Sequence, residues 1–147
     1  MPKPIFILNG PNLNTLGRRE PHIYGDQTLK DVEAACEAAA QASGAIIDFR
    51  QSNHEGTLVD WIQEASDAAR ALILNAGAYT HTSVALLDAL RVLAIPKIEV
   101  HLSNPAAREA FRHNSYVSLA SDGVIAGLGV YGYIAAIEAV KRLEAAA

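Results

Sequence analysis

Five short apolar runs, each followed by a stretch of helical character, constrain this chain more than any other feature of its sequence. The runs are "PIFIL", "AIIDF", "ALILN", "IPKIEV" and "GVIAG". They are apolar almost throughout rather than at every second residue, so both faces of the strands they form need cover. Strands alternating with helices imply a parallel sheet with helices packed on its two faces. Five strands in 147 residues fit one doubly wound α/β domain of the flavodoxin-like type spanning 1–147.

The helical stretches carry their own punctuation. The first runs from Thr28 to Ser43, with Thr28 and Asp31 spaced as a capping box and Gly44 just past the end. The second is predicted to begin near Thr57, with Asp60 three residues on. The third, "SVALLDALRVLA", is stopped by Pro96. A short helix is predicted after "SNP", with Asn104 as its cap and Pro105 at its first position. The last, "YGYIAAIEAVKRLEAAA", runs to the C-terminus. Cys36 falls at helical spacing among Leu29, Val32 and Ala39 and reads as a small core residue.

Composition excludes several classes of function. A formal net charge of −4 gives no basic surplus for nucleic acid. No run of 18 apolar residues is present, and "MPKPIFILNG" reads as a first strand rather than a signal peptide. A soluble, cytoplasmic protein is expected. The four lysines avoid the strand exits, which argues against Schiff-base chemistry, and the histidines lack compact ligand spacing, which argues against zinc. "GLGVYG" matches G-x-G-x-x-G, but no strand bearing an acid follows it, so its glycines are expected to serve a tight turn and close helix–sheet packing.

In open α/β sheets, ligands bind beyond the carboxyl ends of the strands. Three of the five histidines, His54, His81 and His101, lie on such exits, together with Asn75, Glu99 and Ser103. In "EVHLS", alternation puts Glu99 and His101 on one face of a strand. A carboxylate there can hold the ring and fix its tautomer, as a general acid or base requires; a purely structural pair is the alternative. The amides of Leu102 and Ser103 follow, at the start of the "NPAARE" helix, where an anion is favoured. Arg108 and Arg112 are spaced i, i+4, and either can face a ligand or solvent.

The other candidate group is the long loop "LNGPNLNTLGRREPHIYG". Tyr24 closely follows Arg18 and Arg19. Ionising a tyrosine at neutral pH costs roughly 4 kcal/mol, which a nearby guanidinium can largely offset in a site closed to water. On local sequence alone, a packed loop tyrosine beside solvated arginines is the preferred reading.

Three segments, "LNGPNLNTLGRREPHIYG", "NAGAYTHTSVALLDAL" and "IEVHLSNPAAREAFRHNSY", together closely resemble type II 3-dehydroquinate dehydratase, in order and over nearly the whole chain. Asn114, where that family often has a second histidine, departs from the pattern. The resemblance implies a flavodoxin-like fold and the anti elimination of water from 3-dehydroquinate to 3-dehydroshikimate through an enolate, without metal or organic cofactor. It implies Tyr24 as the base at C2, with Arg19 holding it and lowering its pKa. His101 becomes the acid at the C1 hydroxyl, oriented by Glu99, and Asn12 helps stabilise the enolate. Asn75, His81, Ser103 and Arg112 become binders of the ring hydroxyls, and the amides of Leu102 and Ser103 take the carboxylate. The loop from Arg19 to Tyr24 becomes a mobile lid. The resemblance also implies a homo-oligomer of trimers, commonly a dodecamer, with Asp88 reaching a neighbouring subunit's site. It leaves Arg18 and Arg108 without a role.

Two other classes fit the residues less well. A flavin-binding module needs a Ser/Thr-rich turn after the first strand, and the turn here is rich in Asn. A receiver domain needs an acidic cluster after the first strand and a Lys after the fifth, and neither is present.

Overall fold

The computed structural model describes residues 2–146. Its five parallel strands are β1 (Ile5–Asn9), β2 (Ile47–Gln51), β3 (Ala71–Asn75), β4 (Lys97–His101) and β5 (Gly123–Ala126), in the order β2-β1-β3-β4-β5. This is the doubly wound order whose direction reverses beside β1. Five α-helices accompany them: α1 (Pro21–Tyr24), α2 (Leu29–Ala42), α3 (Glu55–Ala68), α4 (Val84–Val92) and α5 (Tyr131–Ala146). None of these is long and apolar enough to cross a membrane.

The most apolar strands are the fully buried ones. Every residue of β1 and β3 is buried, whereas the edge strands β2 and β5 are partly open. Ile5, Ile7, Ile73, Ile98 and Val100 meet α2 and α5 on one face. Phe6, Leu8, Leu72 and Leu74 meet α3 and α4 on the other. Cys36 belongs to the first layer with 0% exposure. Burial, with a smaller contribution from Glu33 and Glu37, pushes its thiol up to about 12, so it is a core residue in its chemistry as well as its packing.

The local signals at α2 are realised in full. Thr28 and Asp31 form a reciprocal capping box, and Gly44 takes the left-handed conformation at φ 73°. Helix α3 departs from expectation: it begins at Glu55, two residues before Thr57, and its N-cap His54 supplies no side-chain bond. The helix expected after Asn104 is only a 3-10 turn, Pro105–Ala107, although Asn104 does accept from the amide of Ala106 at 3.1 Å. The "GLGVYG" glycines do what packing requires. Gly127 and Gly129 have φ of 83° and 59°, and a Cβ on Gly132 would meet Ile125 at 3.4 Å.

Where the sheet order reverses, the chain leaving β1 passes close to the chain leaving β3. The amide of Gly10 donates to the carbonyl of Asn75 at 2.8 Å. A Cβ on Gly10 would stand 2.4 Å from the main-chain oxygen of Ala76. Only glycine permits this approach, which brings the exits of β1 and β3 together. Gly10→Ala is expected to destabilise the fold by about 1–3 kcal/mol through overpacking, read as a lowered urea midpoint; an unchanged midpoint would contradict that closeness.

Candidate active site

The crevice at the carboxyl ends of β1, β3 and β4 collects most of the residues expected from sequence. Asn12, Arg19, Tyr24, Asn75, His81, His101, Leu102, Ser103 and Arg112 all line it, and so does Arg108. Glu99 lies behind His101 on the same strand face. His54 is different. It is exposed at the start of α3 and is not among the lining residues, so two strand-exit histidines share the cleft rather than three. Asp88 is exposed on α4 and does not line this chain's cleft.

The acid–imidazole pair is built by strand alternation. Ile98 and Val100 enter the α2/α5 layer, which turns Glu99 and His101 to the opposite face. Nε2 of His101 lies 2.5 Å from Oε2 of Glu99. With the carboxylate accepting from Nε2–H, Nδ1 is the nitrogen left for a ligand. Glu99 is 1% exposed and also accepts from two hydroxyls: Ser115 at 2.8 Å on Oε2, and Ser118 on Oε1. Burial is the largest single influence on this carboxyl and acts to raise its pKa. The bonds from His101, Ser118 and Ser115, with the charge of His101, outweigh burial and hold the group below its ordinary value.

Asn75 is fixed from the other face of the sheet. Its Nδ2 donates to the hydroxyl of Tyr133 at 2.8 Å, and that hydroxyl donates to Oδ1 of Asn9 at 2.7 Å. Its Oδ1 accepts from the amide of Gly77 at 3.2 Å. The chain of bonds fixes which way the amide faces. Nδ1 of His81 is 2.8 Å from the main-chain carbonyl of Asn114, a contact that does not depend on the side chain at position 114. The main-chain N–H groups of Leu102 and Ser103 have no acceptor among the described residues, and their carbonyls accept from Gly129 and Gly127. With only a three-residue 3-10 turn following, these two amides rather than a helix dipole make the site attractive to an anion.

Arg108 is the residue that sequence reasoning left without a role. Its Nη1 donates to the hydroxyl of Tyr24 at 2.8 Å and to Ser103 Oγ at 3.3 Å. Its Nη2 stands 4.0 Å from Glu20, and its buried Nε has no hydrogen-bond partner. Arg19 and Arg108 each place Cζ 5.2 Å from the Tyr24 ring centroid, and of the two only Arg108 also bonds the hydroxyl. The loop reaches this pose through two non-glycine residues with positive φ, Asn12 at 69° and Glu20 at 42°, the second just before the four-residue helix α1. Asn12 is held by its main chain: its amide donates to Asn53 and its carbonyl accepts from Thr15.

The family described as "Dehydroquinase class II" matches residues 3–141. The chain belongs to that family. The 3-dehydroquinate dehydratase of Rhizobium johnstonii is 59% identical over 145 residues, covering 99% of this chain and 100% of that one. The crystal structure of type II dehydroquinase from Butyrivibrio crossotus superposes with a TM-score of 0.92 at 42% identity, covering 95% of this chain and 98% of that one. The type II dehydroquinase structure from Propionibacterium acnes gives 0.92 at 44% identity, covering 97% and 98%.

Two outcomes test this dehydroquinase-family geometry without a substrate. Arg108→Met removes the bonds to Tyr24 and Ser103, so amide hydrogen exchange over residues 18–26 should quicken, whereas Arg18→Met should leave it unchanged. The second concerns acid. A carboxyl whose folded pKa lies below its unfolded one stabilises the fold above the unfolded value and loses that stabilisation as pH falls through the folded value. The difference in urea stability between the native chain and Glu99→Gln should therefore be widest near neutrality and narrow as pH falls through and below the ordinary carboxylate range. A pH-independent difference would show that Glu99 does not carry that linkage.

Proposed function

We infer that this chain catalyses the dehydration of 3-dehydroquinate to 3-dehydroshikimate, a step of the shikimate pathway, with the whole chain forming one catalytic domain. The observation that carries the reading is the pairing, around one crevice, of a tyrosine bonded to a guanidinium with an imidazole bonded to a buried carboxylate. Family membership supplies the substrate.

The elimination assigns each half a proton. Tyr24 takes the proton from C2, beside the C3 ketone, and the electron pair moves into an enolate. Arg108, donating to the phenol oxygen, and Arg19, over the ring, offset the negative charge carried by the base. Asn12 stabilises the enolate oxygen. The ketone then re-forms, the C1–C2 double bond appears, and the C1 hydroxyl leaves as water with a proton from His101. Glu99 fixes the ring that delivers it. The amides of Leu102 and Ser103 receive the substrate carboxylate. Asn75, His81, Ser103 and Arg112 receive the ring hydroxyls. Residues 19–24 act as the lid, and closing them over the substrate expels water and strengthens each of these charge interactions. The chemistry needs no metal or organic cofactor in this reading.

The same reading includes a homo-oligomer of trimers, a dodecamer, working in the cytoplasm, with Asp88 reaching a neighbour's site. The surface of α4 supports it. Val84, Asp88 and Val92 are spaced i, i+4, i+8, and the two valines are 50% and 76% exposed. An open apolar stripe around a carboxylate suits a contact with another subunit.

Incubation with 3-dehydroquinate should produce enone absorbance; its absence at saturating substrate would sink the reading. Tyr24→Phe and His101→Ala should each lower kcat by about 10²–10⁴-fold in chains that still fold. Near-normal turnover would remove the residue from its role. Asp88→Ala should lose activity together with native solution mass, and an active monomer would refute the cross-subunit role.

A further inference from the structure

The carboxylate behind His101 is held from a third direction. Residues 115–118 form a turn in which Ser115 Oγ accepts the amide of Ser118 at 3.0 Å. Its lone pair is engaged there, so its O–H is free to donate to Oε2 of Glu99, the oxygen that also faces His101. Ser118 Oγ donates to Oε1. The turn is anchored independently of the pair it serves. Tyr116 donates its amide to the carbonyl of Thr80 at 2.9 Å, and Val117 is fully buried in the α3/α4 layer.

We propose that Ser118 and Ser115 are positioning residues for the elimination: their hydroxyls hold Glu99 as an anion with one fixed oxygen on the imidazole, and so set where the proton of the His101–Glu99 pair resides. Both serines line, with Glu99, a neighbouring pocket that shares His81, His101 and Arg112 with the crevice holding Tyr24, and their hydroxyls are engaged on the carboxylate. The proposal rests on His101 being the acid. The other titratable groups around Glu99 are already engaged. His81 holds the carbonyl of Asn114, His113 that of Arg108, and Arg112 the carboxylate of Glu109. Lys97, on the same strand face, donates to the carbonyl of Leu93. None of them donates to the Glu99 carboxylate, whose donors are His101 and the two serines.

Removing one hydroxyl destabilises every state in which Glu99 is ionised, and most of all the state in which His101 is neutral. Both macroscopic titrations of the pair therefore move to higher pH. Ser118→Ala should keep the fold and solution mass, keep KM for 3-dehydroquinate within about twofold, lower kcat, and move the alkaline limb of the kcat profile up by about one pH unit. In a Glu99→Gln background the same substitution should not move the limb. Ser118→Cys, close in volume and a weak donor, should show a smaller shift of the same sign, and it serves as the test if the alanine variant does not fold. An unmoved limb, an equal shift without the carboxylate, or a change confined to KM overturns the proposal. Full turnover in His101→Ala overturns instead the assignment of the acid on which it rests.

Discussion

A carboxylate with 1% exposure in the middle of a sheet is the constraint around which this molecule is arranged. Desolvation alone would drive Glu99 to its neutral form, and a neutral group there cannot orient an imidazolium. Three donors converge on it from two separate segments, the strand that bears it and the turn at residues 115–118. The requirement reaches outward. The turn must stay close to the strand, which the Tyr116–Thr80 bond and the burial of Val117 ensure, and Thr80 belongs to the segment that also carries His81.

The loop from Arg19 to Tyr24 is organised by a second charge. Arg108 contacts Tyr24 and Ser103 and stands near Glu20, so one guanidinium joins that loop to the strand end after β4. The positive φ at Glu20 adds backbone strain of order 1–3 kcal/mol within that loop.

Much of this was legible from residue order because it follows from short-range periodicity. The five strands, the capping box at Thr28 and the shared face of Glu99 and His101 depend only on neighbours along the chain. The roles of the two arginines did not, and the reason is physical. The i, i+4 spacing of Arg108 and Arg112 implies a common face only on a helix. The segment folds instead as separate 3-10 turns, Pro105–Ala107 and Ala110–His113, with Arg108 extended between them at φ −112° and ψ −163°. Arg108 therefore faces Tyr24, while Arg112 is paired with Glu109. Ser115 and Ser118 were equally hidden, since nothing local distinguishes a serine that holds a carboxylate 16 or 19 residues away from one that faces water. The α3 start was misplaced because Thr57 and Asp60 imitate a cap inside a helix whose real boundary lacks a side-chain cap.

Asn75 and Glu99 sit on adjacent strands yet are secured from opposite faces of the sheet, one by Tyr133 of α5 and the other by the turn beside α4. The sheet is thus a partition between two supporting frameworks that share few side chains. A substitution that loosens Tyr133 can therefore free Asn75 while leaving every donor to the Glu99 carboxylate in place.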